Sequence, residues 1–104
     1  MQPVLVTTTV NSKEEANKIA NILVNEKLAA CVNIIGPIQS IYMWQDKIVN
    51  DEEYKLFIKT FAEKWPSLKN TIKKNHSYQV PEISLIQIHD MHEDYLSWMK
   101  DSII

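Results

Sequence analysis

The spacing of apolar positions along this chain switches repeatedly between a period of two and a period near 3.6. Pro3 to Val10 is short, β-branched and rich in threonine, and predicts a strand. Ser12 and Glu15 follow with the spacing of a capping box. Ala16, Ile19, Ala20 and Leu23 then recur at helical spacing, which predicts an amphipathic helix over Lys13 to Lys27. Ala29 to Trp44 reads as a long strand, with a bend or bulge expected at Gly36-Pro37. Gln45-Asp46-Lys47 separates it from a second long arm, Ile48 to Thr60. Within that arm the polar run Asn50-Asp51-Glu52-Glu53 predicts an interruption of regular pairing. Trp65, Leu68 and Ile72 mark a helix over about Glu63 to Asn75, with Pro66 suited to its first turn and Lys73-Lys74 to its last. Glu82 to Ile88 is a further strand, and Tyr95, Leu96 and Met99 mark a short final helix behind the capping-box-like pair Asp90 and Glu93.

The order is β-α-β-β-α-β with an added C-terminal helix. Right-handed crossovers then give an α+β fold, the ferredoxin-like plait: a four-stranded antiparallel sheet with its helices on one face, and here an extended hairpin between the second and third strands. The other face is expected to have no helix of this chain over it. The long strand after Gly36-Pro37 is apolar on both faces, whereas a strand in a small monomer usually alternates. Two apolar faces in so small a protein point to cover by another copy of the chain.

Composition narrows the function classes. The 104 residues fit one domain, 1–104, and the surface-to-volume ratio of that size makes burial by self-association useful. A single glycine means that loops are short or carry Asn, Asp and Ser. The formal charge of −2 provides no electrostatic footprint for nucleic acid or an anionic membrane. Every basic residue is lysine, and without arginine the bidentate grip on phosphate is absent. An acylphosphatase-type enzyme and a nucleotide-binding site both lose ground on that count. One cysteine excludes an internal disulfide and a Cys-x-x-Cys copper chaperone. No secretory leader is evident and no apolar run reaches the roughly 20 residues of a membrane span, so the cytoplasm is the expected compartment.

Several stretches, taken in order, carry a resemblance. Ala29-Ala30-Cys31-Val32-Asn33-Ile34, Ser40-Ile41-Tyr42-Met43-Trp44-Gln45, Asp51-Glu52-Glu53-Tyr54, Ile58-Lys59-Thr60, His76-Ser77-Tyr78-Gln79-Val80-Pro81-Glu82-Ile83 and Tyr95-Leu96-Ser97-Trp98 together resemble the divalent-ion tolerance family CutA, nearly end to end. The resemblance implies a ferredoxin-like subunit, a tight homotrimer, and a cytoplasmic protein tied to tolerance of divalent cations, copper above all. It also implies a structural likeness to the PII signalling trimers. Asp46 stands where the family usually has Gly in the hairpin turn, so a looser turn or one of another type is expected. Ser77 and Gln79 stand where the family usually has Pro and Glu, which removes one oxygen ligand or acceptor.

Cys31 is the soft ligand of the chain, suited to Cu(I) or zinc; the competing reading is a small buried hydrophobe on a strand. His76, Tyr78 and Glu82 sit in a loop that leads into a strand. The resemblance places them in a cleft near a subunit boundary with Trp44, Glu53, Tyr54 and Lys59. As a functional site this is a polar pocket for a metal or small anion, with His76 and Glu82 as ligands and Lys59 as charge partner. As a structural site it is a set of satisfied hydrogen bonds and an ion pair that fix the trimer. His89-Asp90-Met91-His92-Glu93-Asp94 looks like a metal cluster but reads better as a solvated helix cap. The function expected is a non-catalytic trimer that binds or responds to copper or another divalent metal ion. The alternative is a PII-like scaffold that takes a small anion or a partner protein in its inter-subunit clefts.

Overall fold

The computed structural model describes all residues 1–104. In chain order the elements are β1 (Pro3–Val10), α1 (Lys13–Asn25), β2 (Cys31–Trp44), β3 (Lys47–Phe61), α2 (Trp65–Asn75), β4 (Ile83–Gln87) and α3 (Glu93–Ile103), with a single 3-10 turn at Ala62–Lys64 before α2. The strands form one antiparallel sheet in the order β2-β3-β1-β4, the ferredoxin-like arrangement. The chain is elongated, 45 × 25 × 22 Å, because β2 and β3 run far past the other strands. β1 pairs with β3 only as far as Val10↔Tyr54, so from Glu53 outward the sheet has two strands.

Alternation in β1 and β3 sends Val4, Val6, Thr8 and Val10 with Leu56, Ile58 and Thr60 to one face. There they meet Ala16, Ile19, Ala20 and Leu23 of α1 and Leu68 and Ile72 of α2, and form the main core. Each such aliphatic side chain stabilises the fold by roughly 2 kcal/mol on burial. Ser12 caps α1 through its hydroxyl, which accepts from the Glu15 N–H. Glu15 does not reciprocate; its carboxylate turns to the chain after α2.

The opposite face is not bare, contrary to what the order of elements suggests. α3 lies over one end of it, where Phe61, Met99 and Ile103 form a second buried cluster with Ala30, Tyr95 and Leu96 around them. Phe61 follows Thr60 by one residue and so points away from the main core. The capping box expected at Asp90 and Glu93 does not form: His92 is the N-cap of α3, and Asp90 accepts from the adjacent Met91 N–H.

Tight turns are made with almost no glycine. Lys27, Gln45 and Asp46 all take the left-handed conformation, with φ of 57°, 50° and 65°. Lys27 ends α1 in a Schellman motif, with Leu28 N–H bonded to the Leu23 carbonyl and Lys27 N–H to that of Val24. Gln45 and Asp46 form a tight two-residue hairpin turn between the paired Trp44 and Lys47, not a looser one. The one glycine, Gly36, does not have positive φ; a Cβ there would overlap the Tyr54 ring. The Gly36–Pro37 peptide is cis. The polar run Asn50 to Glu53 pairs regularly, and the irregularity falls on the other arm: Ile35 faces Lys55 and Ile38 faces Glu53. β2 therefore carries one extra residue between Ile35 and Ile38, a β-bulge.

Thr8 is fully buried on the helix-covered face and its Oγ1 has no partner. Thr8→Val keeps the shape and removes a desolvated hydroxyl, so it is expected to stabilise the fold by about 1 kcal/mol in denaturant melts. Asp46→Gly relieves a left-handed backbone at a non-glycine residue and is expected to add a similar increment. A loss of stability in Thr8→Val would mean that the hydroxyl is satisfied.

Candidate polar pocket

The bulge decides which side chains share a face. Before it, odd-numbered residues of β2 lie on the face away from α1 and α2; after it, even-numbered ones do. Ile38, Ser40, Tyr42 and Trp44 are thereby set beside Glu53 and Lys55 of β3. The segment 77–80 between α2 and β4 closes one side, and Thr9 and Glu82 complete a pocket of about 700 Å³.

Two carboxylates dominate it, in different environments. Glu82 is ringed by donors: the hydroxyls of Thr7, Thr9 and Ser84 at 3.2, 3.2 and 2.9 Å, and the Lys55 ammonium at 3.3 Å. Burial alone pushes this carboxyl up, but Ser84, Lys55 and Thr9 overcome it and hold the group below its ordinary range. Glu53 is buried, at 6% exposure, and accepts only the Tyr78 hydroxyl. Burial, then this bond to a carboxylate, raise the Tyr78 phenol well above its ordinary value. Tyr42 donates to Asp51 in the same manner, and that bond is the main cause of its phenol being pushed up to about 12.

His76, the residue after α2, lies behind the pocket with its side chain fully enclosed. Its Nε2 is 3.0 Å from the Thr9 carbonyl, and its Nδ1 accepts from the Tyr78 N–H at 3.1 Å. A carbonyl only accepts, so Nε2 carries the proton, and both ring nitrogens are engaged. The Glu15 carboxylate lies 3.6 Å from Nδ1 and takes the Ser77 N–H at 3.1 Å. A proline at position 77 could not donate that bond.

Cys31 pairs with Lys59, at the other end of the sheet face. Its Sγ is 4.0 Å from Lys59 Nζ, which also reaches the Tyr95 hydroxyl at 3.5 Å. Four residues of β3, about 13 Å, separate Lys59 from Lys55. The structure thus brings together Trp44, Glu53, Tyr78 and Glu82. It leaves Cys31 and Lys59 apart from them, sets His76 behind them, and packs Tyr54 against Gly36 and the main core. Lys55, not Lys59, is the charge partner of Glu82. Cys31, His76 and Glu82 do not converge within one chain, and no group of three His, Cys, Asp or Glu is placed to hold a metal ion. A metal on His76 would have to displace one of its two hydrogen bonds. His89 and His92 are exposed, and neither joins such a group.

The family model described as CutA1 divalent ion tolerance protein matches residues 4–102. The chain belongs to the CutA1 family. The divalent-cation tolerance protein CutA of Thermus thermophilus is 44% identical over 98 residues, covering 94% of this chain and 95% of that protein. The chloroplastic protein CutA of Arabidopsis thaliana is 41% identical over 99 residues, which cover 95% of this chain but 54% of that protein, so the chain spans about half of the plant relative. Among solved structures, the periplasmic divalent cation tolerance protein CutA of Archaeoglobus fulgidus superposes with a TM-score of 0.95 at 36% identity, covering 98% of this chain and 99% of that one. CutA1 proteins thus bear both chloroplastic and periplasmic names, and membership of the family fixes no compartment. No helix of this chain is long and apolar enough to cross a membrane.

Lys55, Thr9 and Ile38 line the pocket, and Thr7 and Ser84 bond to its Glu82, without having stood out in the sequence. The Thr7-Thr8-Thr9 run, polar in a strand of the core, was the available signal for two of them.

A carboxyl held low in the folded protein stabilises it above its unfolded pKa, and the contribution fades as pH falls through the folded value. Glu82→Gln is therefore expected to lower stability by about 0.5 kcal/mol near neutral pH, a small effect because Glu82 is well exposed. The gap to the unaltered protein is expected to close on acidification below the carboxylate range. Thermal melts at both conditions check this, and a gap that widens in acid would contradict the bonding described here.

Proposed function

We propose that the chain serves tolerance of divalent cations, copper foremost, as a self-assembled homotrimer without catalytic turnover. The observation that carries this reading is the uncovered hairpin. Ile41, Met43 and Ile48 are 66%, 64% and 74% exposed on one face of its tip, and Tyr42 and Trp44 lie partly exposed on the other. A two-stranded ribbon in water is marginal, and apolar side chains on both of its faces call for a second copy. The resemblance implies that three copies close the assembly.

Within one chain Cys31, His76 and Glu82 do not make a metal site, so the metal response belongs to the assembly, where each subunit supplies its own Cys31. Ile48→Lys places a charge at the exposed tip and leaves the subunit core untouched. The variant is expected to lose assembly by light scattering at micromolar concentration while keeping its circular dichroism, and to lose saturable Cu(I) binding with it. A variant that dissociates and still binds Cu(I) as well as the parent would contradict the assembled-site reading.

A further inference from the structure

The charges that line the pocket do not balance. Two carboxylates, Glu53 and Glu82, line it against one ammonium, Lys55. Lys55 is committed to Glu82. The Glu53 carboxylate is buried yet has no Lys, His or N-terminus within 4.0 Å. One of its oxygens takes the Tyr78 hydroxyl; the other, Oε1, bonds to nothing in the chain. That oxygen remains open to solvent, for the one buried side-chain oxygen without a partner is Thr8 Oγ1, so the carboxylate can take a cation from the pocket.

Around it stand aromatic rings. Tyr42, Trp44 and Tyr78 line the same pocket, and the phenols of both tyrosines donate to carboxylates. Such bonds enrich the rings in electron density, which suits a cation over their faces. Ile38 and Val80 add apolar wall. An anion would meet Glu53, Glu82 and, behind Tyr42, Asp51. No three His, Cys, Asp or Glu side chains converge here to hold a divalent metal ion.

We propose that this pocket binds a small organic ammonium ion, with Glu53 as its counter-ion, the Tyr42, Trp44 and Tyr78 rings around the charged head, and Ile38 and Val80 against its apolar body. The inference stands apart from the metal response, since it uses neither Cys31 nor His76.

The test is calorimetric titration of the full-length assembled protein with butylammonium chloride and, separately, with sodium butyrate, the same chain length with opposite charge. Butylammonium is expected to bind saturably and butyrate not at all. Glu53→Gln, which keeps shape and removes charge, is expected to weaken butylammonium about tenfold or more. Tyr42→Leu, which keeps an apolar side chain on the hairpin and removes the ring, is expected to weaken it several-fold. Absence of saturable butylammonium binding would overturn the proposal, including where a lysine of a second copy already sits on Glu53. So would binding that Glu53→Gln and Tyr42→Leu leave unchanged, or stronger binding of butyrate. Copper titration of the same variants keeps the two readings apart: both are expected to retain the Cu(I) response of the parent.

Discussion

One extra residue in β2 organises the outer half of this molecule. Between Ile35 and Ile38 the strand gains a residue on its partner, and from there to the hairpin tip the faces are exchanged. Without that exchange Ile41 and Met43, not Tyr42 and Trp44, would lie beside Glu53. The bulge sits where Gly36 allows the Tyr54 ring to press against the backbone, a contact that a side chain at 36 would forbid. Sequence, local geometry and pocket are thus linked through one glycine and one aromatic ring.

The polar groups around the pocket fall into two classes. Glu82 and His76 are satisfied by the chain itself: four donors surround the first, and both ring nitrogens of the second are bonded. Such groups fix the approach of the 77–80 segment to β1 and are costly to disturb. Glu53 is a buried residue with one oxygen unbonded and open to solvent. The distinction separates residues that hold the pocket from the one that has an interaction still to offer. The pocket, expected to take a metal or a small anion, is lined by two carboxylates and one ammonium.

Much of the fold was legible in the sequence because its elements are long and strongly periodic. β1, α1, α2 and the two hairpin arms follow from apolar spacing, and the bulge follows from Gly36-Pro37. What spacing could not convey was register. Lys55 and Lys59 are equivalent in the sequence, both on the same face of β3, and only the pairing Thr9↔Lys55 decides which one reaches Glu82. The position of α3 was hidden for the same reason: a short amphipathic helix does not announce which face it covers, and here Phe61 draws it onto the face opposite α1 and α2. The run Asn50 to Glu53 misled because charged residues disfavour strands in general, whereas an edge ribbon exposed to water tolerates them.

In the proposed assembly the hairpin beyond Glu53 is ordered only because other copies cover it. Hydrogen exchange of the amides from Ile41 to Ile48, followed over a dilution series, reads that dependence. Protection is expected to approach that of β1 at high concentration and to fall as the protein is diluted through its dissociation range, while β1 stays protected. Exchange at the tip that is fast at every concentration, or protection that persists in a chain shown to be monomeric, would contradict it.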